Sequence, residues 1–250
     1  MRRLTPALLV SLALVIVACG ADVSDSTTTT TAPSTTTTVE TTTTTVEATT
    51  TTSADTTTTL AGEPIDFGPA ADDVVMVAGV AYDDVLNLRA APGADQPISD
   101  EIPPTFADLV AQGNTRDLSP GFWIEVDYEG TVGWVNLAYI AFEGDTTDET
   151  SNVIDELGER PVEPTMTDLG EVVAGVFASD EEPKSDIVQV TEVVEGDLIE
   201  VTYDVIGLAD DAVRGVRLHI FAEESSDGFT LRTVEVTLLC GRGVSDGLCV

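Results

Sequence analysis

From Val74 onward the chain alternates short apolar runs with turn residues. The runs are Val74 to Val77, Val85 to Leu88, Ala107 to Ala111, Phe122 to Val126 and Val132 to Val135. Asp83-Asp84, Pro92-Gly93, Pro103-Pro104, Ser119-Pro120-Gly121 and Glu129-Gly130 punctuate them. Side chains alternate between the faces of a strand, so Leu86 and Leu88 share one face while Asn87 and Arg89 share the other. By the same parity Phe122, Ile124 and Val126 are expected inside, with Trp123, Glu125 and Asp127 facing solvent. Short strands with turns at this spacing predict a small all-β barrel over residues 63–143.

An acidic stretch, Glu143 to Thr150, then reads as a connector, and a different pattern follows over residues 151–250. Ser151 to Leu157 has room for one or two helical turns. Thr165 to Asp168 offers N-cap residues before Leu169, Val172, Val173, Val176 and Phe177, an apolar stripe at helical spacing. Ile187 to Val194 is rich in Val and Ile. In Ile199 to Val205 the apolar residues alternate with Glu200, Thr202 and Asp204, and Val216, Leu218 and Ile220 alternate with Arg217, His219 and Phe221. Phe229 and Leu231 begin a last strand whose parity slips to Val234, Val236 and Leu238, the mark of a β-bulge. Turns at Glu195-Gly196-Asp197, Leu208 to Asp211 and Ser225 to Gly228 make this an antiparallel meander. The expected fold class is therefore mainly β: a small barrel followed by an α+β domain with a helix on an antiparallel sheet.

The residues before Val74 read differently. Met1-Arg2-Arg3 is basic and Leu8 to Val17 is apolar, but that run is short of the ~20 residues a bilayer span takes. It has the form of a secretory signal. From Ala21 to Gly62 the chain is mostly threonine, broken by Val39-Glu40, Val46-Glu47 and Ala54-Asp55. Such a segment buries too little to offset its ordering entropy and reads as a disordered tether over residues 19–62. As a flexible coil it would span roughly 35–40 Å.

Charge and chemistry narrow the function. Among 250 residues, 45 acids stand against 10 Lys and Arg, a formal net charge of −35. That surface repels nucleic acid and anionic lipid. The chain has one lysine, Lys184, one histidine, His219, and three cysteines, Cys19, Cys240 and Cys249. A zinc hydrolase draws on several histidines, and a Ser or Cys nucleophile needs a histidine base. No Asp-x-Asp-x-Asp-Gly calcium loop is present, so neither metal nor cofactor is implied. Acidic pairs such as Asp210-Asp211 or Glu181-Glu182 could serve a glycosidase only if held in a site, and His219 reads as a surface residue beside Arg217. No enzyme activity is expected.

Two resemblances add to this reading. Ile16-Val17-Ala18-Cys19-Gly20 resembles the lipobox of bacterial lipoproteins. It implies a diacylglycerol on Cys19, removal of residues 1–18, and a lipid anchor on the extracytoplasmic face of a bacterial membrane. Outside the cytoplasm, Cys240 and Cys249 are then expected to pair, contributing about 2.5 kcal/mol by the chain-entropy model. Leu86-Asn87-Leu88-Arg89-Ala90-Ala91-Pro92-Gly93, Trp123-Ile124-Glu125-Val126 with Tyr128-Glu129-Gly130, and Gly133-Trp134-Val135 with Tyr139-Ile140 together resemble the bacterial SH3 (SH3b) domain family over about residues 74–142. The chain departs from that family at Pro104-Thr105-Phe106, where a glycine is common. Residues 151–250 resemble no family.

The resemblance implies a binding module for cell-wall peptide, found beside wall-processing enzymes. Tyr82, Asn87, Trp123, Asp127 and Trp134 are the candidate ligand residues. Ten acids face two arginines between Val74 and Phe142, a net charge of −8 that favours a ligand carrying free amines. The expected function is a lipid-anchored, acidic, peptidoglycan-binding envelope protein without catalysis. The alternative is a regulatory or docking subunit whose C-terminal domain binds a partner enzyme or a small ligand.

Overall fold

The structure is a computed structural model that describes residues 59–179, 182, 184–208 and 210–250. Cys19 and the expected tether as far as residue 58 lie outside the described residues, while residues 59–62 at its end are described. Among the described residues fifteen strands and two α-helices follow in order: β1 (Glu63–Ile65), β2 (Ala71–Val77), β3 (Leu86–Arg89), β4 (Ile98–Ile102), β5 (Leu109–Leu118), β6 (Gly121–Tyr128), β7 (Thr131–Asn136), β8 (Ile140–Asp148), α1 (Thr150–Leu157), β9 (Val162–Glu163), α2 (Met166–Phe177), β10 (Asp186–Gln189), β11 (Ile199–Ile206), β12 (Val213–Ser225), β13 (Gly228–Cys240), β14 (Val244–Ser245) and β15 (Leu248–Cys249).

The expected fold class is corrected here. Instead of a small barrel followed by a separate α+β domain, 13 strands join one antiparallel sheet, ordered β10-β11-β12-β13-β8-β2-β5-β6-β7-β3-β4, with β1 on β5 and β9 on β13. The stretch that reads as an acidic connector is most of β8, and β8 joins the two halves. Its start pairs with β2 (Met76↔Ala141, Val77↔Ile140), and its remainder pairs with β13 from Phe142↔Cys240 to Asp148↔Glu235. Its acids and threonines point to solvent while the main chain makes the ladder, so no apolar alternation announces it. The Thr146 and Thr237 hydroxyls meet across that ladder at 2.7 Å.

Local chemistry explains the remaining elements. Thr165 caps α2 by accepting the Asp168 N–H at 3.0 Å, and Leu169, Val173 and Ala174 are buried against the sheet. Val201, Tyr203, Val205, Val216, Leu218, Ile220, Leu231 and Val234 complete that core. A second core under β2 to β7 holds Val75, Leu88, Ile102, Leu109, Ile124 and Val135. Strand β3 crosses so close to Gly133 that a Cβ there would lie 2.7 Å from Leu88 Cγ and 2.9 Å from the Arg89 carbonyl oxygen. The β6–β7 hairpin turns on Glu129 (φ 50°) and Gly130 (φ 89°), both left-handed, as a two-residue turn that matches strand twist requires.

Between these cores lies a seam with apolar and charged parts. Met76, Ala78, Ala141 and Leu239 are buried together there, with Ala107 and Ile206 packed on them. Asp204, which parity places outward, is fully buried, because the first half of the chain covers that face of β11. It accepts from Arg217 Nε at 2.7 Å, from Arg217 Nη2 at 2.8 Å and from the Gly79 N–H at 2.8 Å. Arg217 Nη2 also donates to the Val77 carbonyl at 2.9 Å. Arg214 sits at a register shift between Val213 and Gly215. That bulge aims its guanidinium at the Leu137 and Ile140 carbonyls.

The C-terminal cysteines are bonded, Cys240 to Cys249, with Cα atoms 5.1 Å apart. The bond closes the β14–β15 hairpin, whose Gly247 carbonyl accepts the Asp145 N–H of β8 at 2.7 Å. The last residues therefore brace the joining strand.

Two predictions follow from these contacts. Arg217→Ala strands a buried carboxylate and is expected to lower unfolding stability by about 3–5 kcal/mol, read by urea denaturation. At the start of α1, the Asp148 carboxylate is held below its ordinary value by its hydrogen bonds to Thr150, which include the N–H at 2.9 Å. A depressed folded-state pKa stabilises above the unfolded value near 4 and loses that contribution as pH falls through the folded value. The stability difference between wild type and Asp148→Asn should therefore shrink on acidification below pH ~4; a difference constant from pH 7 to 2 would contradict it.

Candidate functional site

A groove of about 520 Å³ opens where the two halves meet. Its walls are Gly79, Val80, Ala81, Asp84, Val85 and Leu86 from the β2–β3 connection and the start of β3, with Asn87 and Arg89 further along β3. Trp123 forms part of the lining from β6, Asn136 and Tyr139 from the end of β7 and the turn after it, and Val188 from β10. Val188 stands opposite Asp204 in the β10–β11 register, which places it on the covered face of the sheet. The groove is thus built by both halves, although the sequence points to the first alone.

The polar groups lining it are oriented by other contacts. Arg89 Nη1 donates to the Gln96 carbonyl at 2.7 Å, which ties the guanidinium down. Asn136 Oδ1 accepts the Ala138 N–H at 2.9 Å and caps the single turn Leu137–Tyr139. Asp84 Oδ1 accepts the Val85 N–H at 2.8 Å, fixing the acid at the rim. The wall that carries Val188 is held from behind. There the Tyr203 hydroxyl donates within reach of the Thr167 carbonyl and Gln189 Oε1, both at 3.2 Å, and burial pushes that phenol up to about 12.

Each candidate ligand residue has a definite place. Asn87 and Trp123 come together in the groove. Trp123 is only 6% exposed, so parity alone misplaces it: the β2–β3 connection and β10 close over the face it occupies. Phe122, expected inside, is 40% exposed, and its ring centroid lies 5.9 Å from that of Phe67. Trp134 is buried outside the groove, opposite Arg89 and Glu125 in register. Asp127 Oδ1 accepts the Gly130 N–H at 2.7 Å and holds the β6–β7 turn. Tyr82 is exposed beside the groove, and its N–H donates to the Gln189 carbonyl at 3.0 Å. Arg89, Asn136, Tyr139 and Asp84 are not among the candidate ligand residues, although Arg89 shares a strand face with Asn87 and both Arg89 and Tyr139 fall in the stretches that resemble the SH3b family.

Chemically the groove offers amide donors and acceptors from Asn87 and Asn136, a cation at Arg89, one carboxylate at Asp84 and the Tyr139 phenol. Trp123 is too buried to offer an open ring for stacking and provides apolar floor. A second cavity, of about 470 Å³, lies between β2, β8 and the C-terminal hairpin, with Val74, Phe142, Val244 and Val250 on its walls. Its charged wall residues are Asp73, Glu143 and Arg242, the last already engaged by Asp211. His219 lines neither cavity; its Nε2 lies 3.1 Å from Glu200 Oε2, and its ring centroid is 4.2 Å from that of Phe221 with the planes tilted by 43°. Among the described residues no three His, Cys, Asp or Glu side chains are grouped to hold a metal, and no helix is long and apolar enough to cross a membrane.

Because Trp123 is part of the core, Trp123→Ala is expected to cost about 3–5 kcal/mol of stability. Trp123→Phe should keep the fold, so thermal melts of the two variants separate floor from platform. No protein family, no curated protein and no solved structure matches the chain.

Proposed function

We propose that this is a lipid-anchored protein of the bacterial cell envelope that binds cell-wall peptide, or another envelope component, in the groove over Trp123 and performs no catalysis. The observation that carries the reading is the convergence of Asn87, Arg89, Asn136 and Asp84 on one apolar floor. Amide side chains match the donors and acceptors of an extended peptide, Arg89 suits a carboxylate and Asp84 an amine. The residues that resemble the SH3b family, Leu86 to Gly93, Trp123 to Val126 and Gly133 to Val135, include the groove's Asn87, Arg89 and Trp123. An anchor at Cys19 with a threonine-rich tether would hold the groove near the wall at high effective concentration, so weak affinity suffices.

The full-length protein in neutral detergent, applied to purified wall at low salt, should be retained. Asn87→Ala should weaken retention roughly fivefold, since a lost hydrogen bond is worth about 1 kcal/mol. Retention unchanged by that substitution would remove the groove from the reading. Cross-linking in the native envelope to one defined protein, without wall, would replace it with a docking subunit. Labelled fatty acid incorporated by the wild type and lost in Cys19→Ser tests the anchor separately.

A further inference from the structure

In a chain with 45 acids against 10 Lys and Arg, a guanidinium is expected to hold a carboxylate. Arg217, Arg232 and Arg242 do so, on Asp204, Glu223 and Asp211. Arg214 and Arg160 each turn onto two main-chain carbonyls instead. Arg89 and Arg116 each make a single side-chain bond, to a carbonyl, and of the two only Arg89 lines the groove over Trp123. Among the described residues no carboxylate lies within 4 Å of the Arg89 guanidinium. Its Nη1 is held by the Gln96 carbonyl at 2.7 Å, while Nε and Nη2 bond no described protein group.

The groove is polarised along β3. Asp84, its one carboxylate, precedes the strand, and Arg89, its one cation, ends it. The three strand steps from Leu86 to Arg89 cover about 10 Å, with Asn87 between them. Beyond Arg89 the chain turns back. The Ala90 N–H donates to the Pro97 carbonyl at 2.9 Å, and the Gln96 N–H to the Gly93 carbonyl at 3.2 Å. Pro92 and Gly93 are buried in that turn, and Ala94 lines the groove. The connection that pins the guanidinium therefore also bounds the groove.

We propose that this groove, on the peptide-binding reading given above and resting on it, takes the carboxyl-terminal end of a peptide. The free α-carboxylate meets the open Nε and Nη2 side of Arg89, and an amine further back reaches Asp84. A planar guanidinium offers paired N–H groups that match the two oxygens of a carboxylate. With Nη1 already held, little freedom is lost when they pair. A mid-chain stretch of peptide brings only neutral amides to Arg89 and has to continue past Ala94. A chain end avoids both.

The test applies calorimetry to the full-length chain in neutral detergent with three peptides. They are acetyl-Lys-Ala-Ala with a free carboxyl end, the same peptide as its amide, and acetyl-Lys-Ala-Glu amide, whose carboxylate is on a side chain. The second has one more positive charge than the others, so the protein's formal charge of −35 favours it. Against that bias the free acid should bind about tenfold more tightly than either amide, as a charge-assisted pair at Arg89 requires. Arg89→Gln should erase the preference, and Arg89→Lys should keep part of it. The peptide comparison is made on the unaltered chain, so it stands whether or not the Gln variant folds. Equal binding of acid and amide, both weakened by Asn87→Ala, would overturn the inference and leave the peptide groove in place. A glutamate peptide as tight as the free acid, or a preference that persists in Arg89→Gln, would overturn it in the same way. No binding by any of the three would overturn it too, and if wall retention is also indifferent to Asn87→Ala the groove reading falls with it.

Discussion

The fold depends on a charge that neither half can hold alone. Asp204 is removed from water, and an uncompensated carboxylate there would be costly. Its compensation comes from two places: Arg217 on the neighbouring strand, and the Gly79 N–H from the other half of the molecule. Arg217 in turn completes its own bonding on the Val77 carbonyl. Arg214 repeats the device one bulge away. Burial lowers its pKa, yet a guanidinium keeps its proton, so it must find oxygens, and those it finds belong to Leu137 and Ile140. Hydrophobic contact at the seam is non-directional; these bonds give it one orientation.

That orientation is what makes the groove. Gly79 is both the donor to Asp204 and the first residue of the wall, so the pair that closes the seam also places Val80, Ala81 and Asp84. Val188 comes from the strand adjoining Asp204 and forms the opposite side. Recognition in such a place rests on polar atoms whose directions are already set by bonds to the main chain, as with Arg89 on Gln96 and Asn136 on Ala138. Little ordering entropy would remain to be lost on binding there.

Periodicity reveals which residues share a face, but not what covers that face. The stripe Leu169, Val173 and the alternations in β11 and β12 are legible because one face meets an apolar core and the other does not. Asp204 and Trp123 are misread for a single reason: their faces are covered by chain far away in sequence, and local pattern holds no trace of it. Strands β4 and β8 escape for the opposite reason. Their residues, Ile98 to Ile102 and Ile140 to Asp148, are too acidic to alternate visibly, and main-chain pairing has no residue code. The disulfide was legible from cysteine spacing and context. In the groove, Asn87 and Trp123 could be found from the motif, while Asn136 is visible only once the turn it caps is seen.

Strand β8 also governs the order in which the molecule can assemble. Val77 must find Ile140 and Asp148 must find Glu235, with whole hairpins intervening in each case. Loop-closure entropy precedes the reward for such distant pairings, which makes them slow. The local hairpins β5–β6–β7 and β12–β13 can form early, but their registration into one sheet waits on the chain beyond residue 235. Synthesis interrupted before that point leaves β8 with a bare edge. The period of greatest exposure to aggregation therefore comes late in the life of the nascent chain.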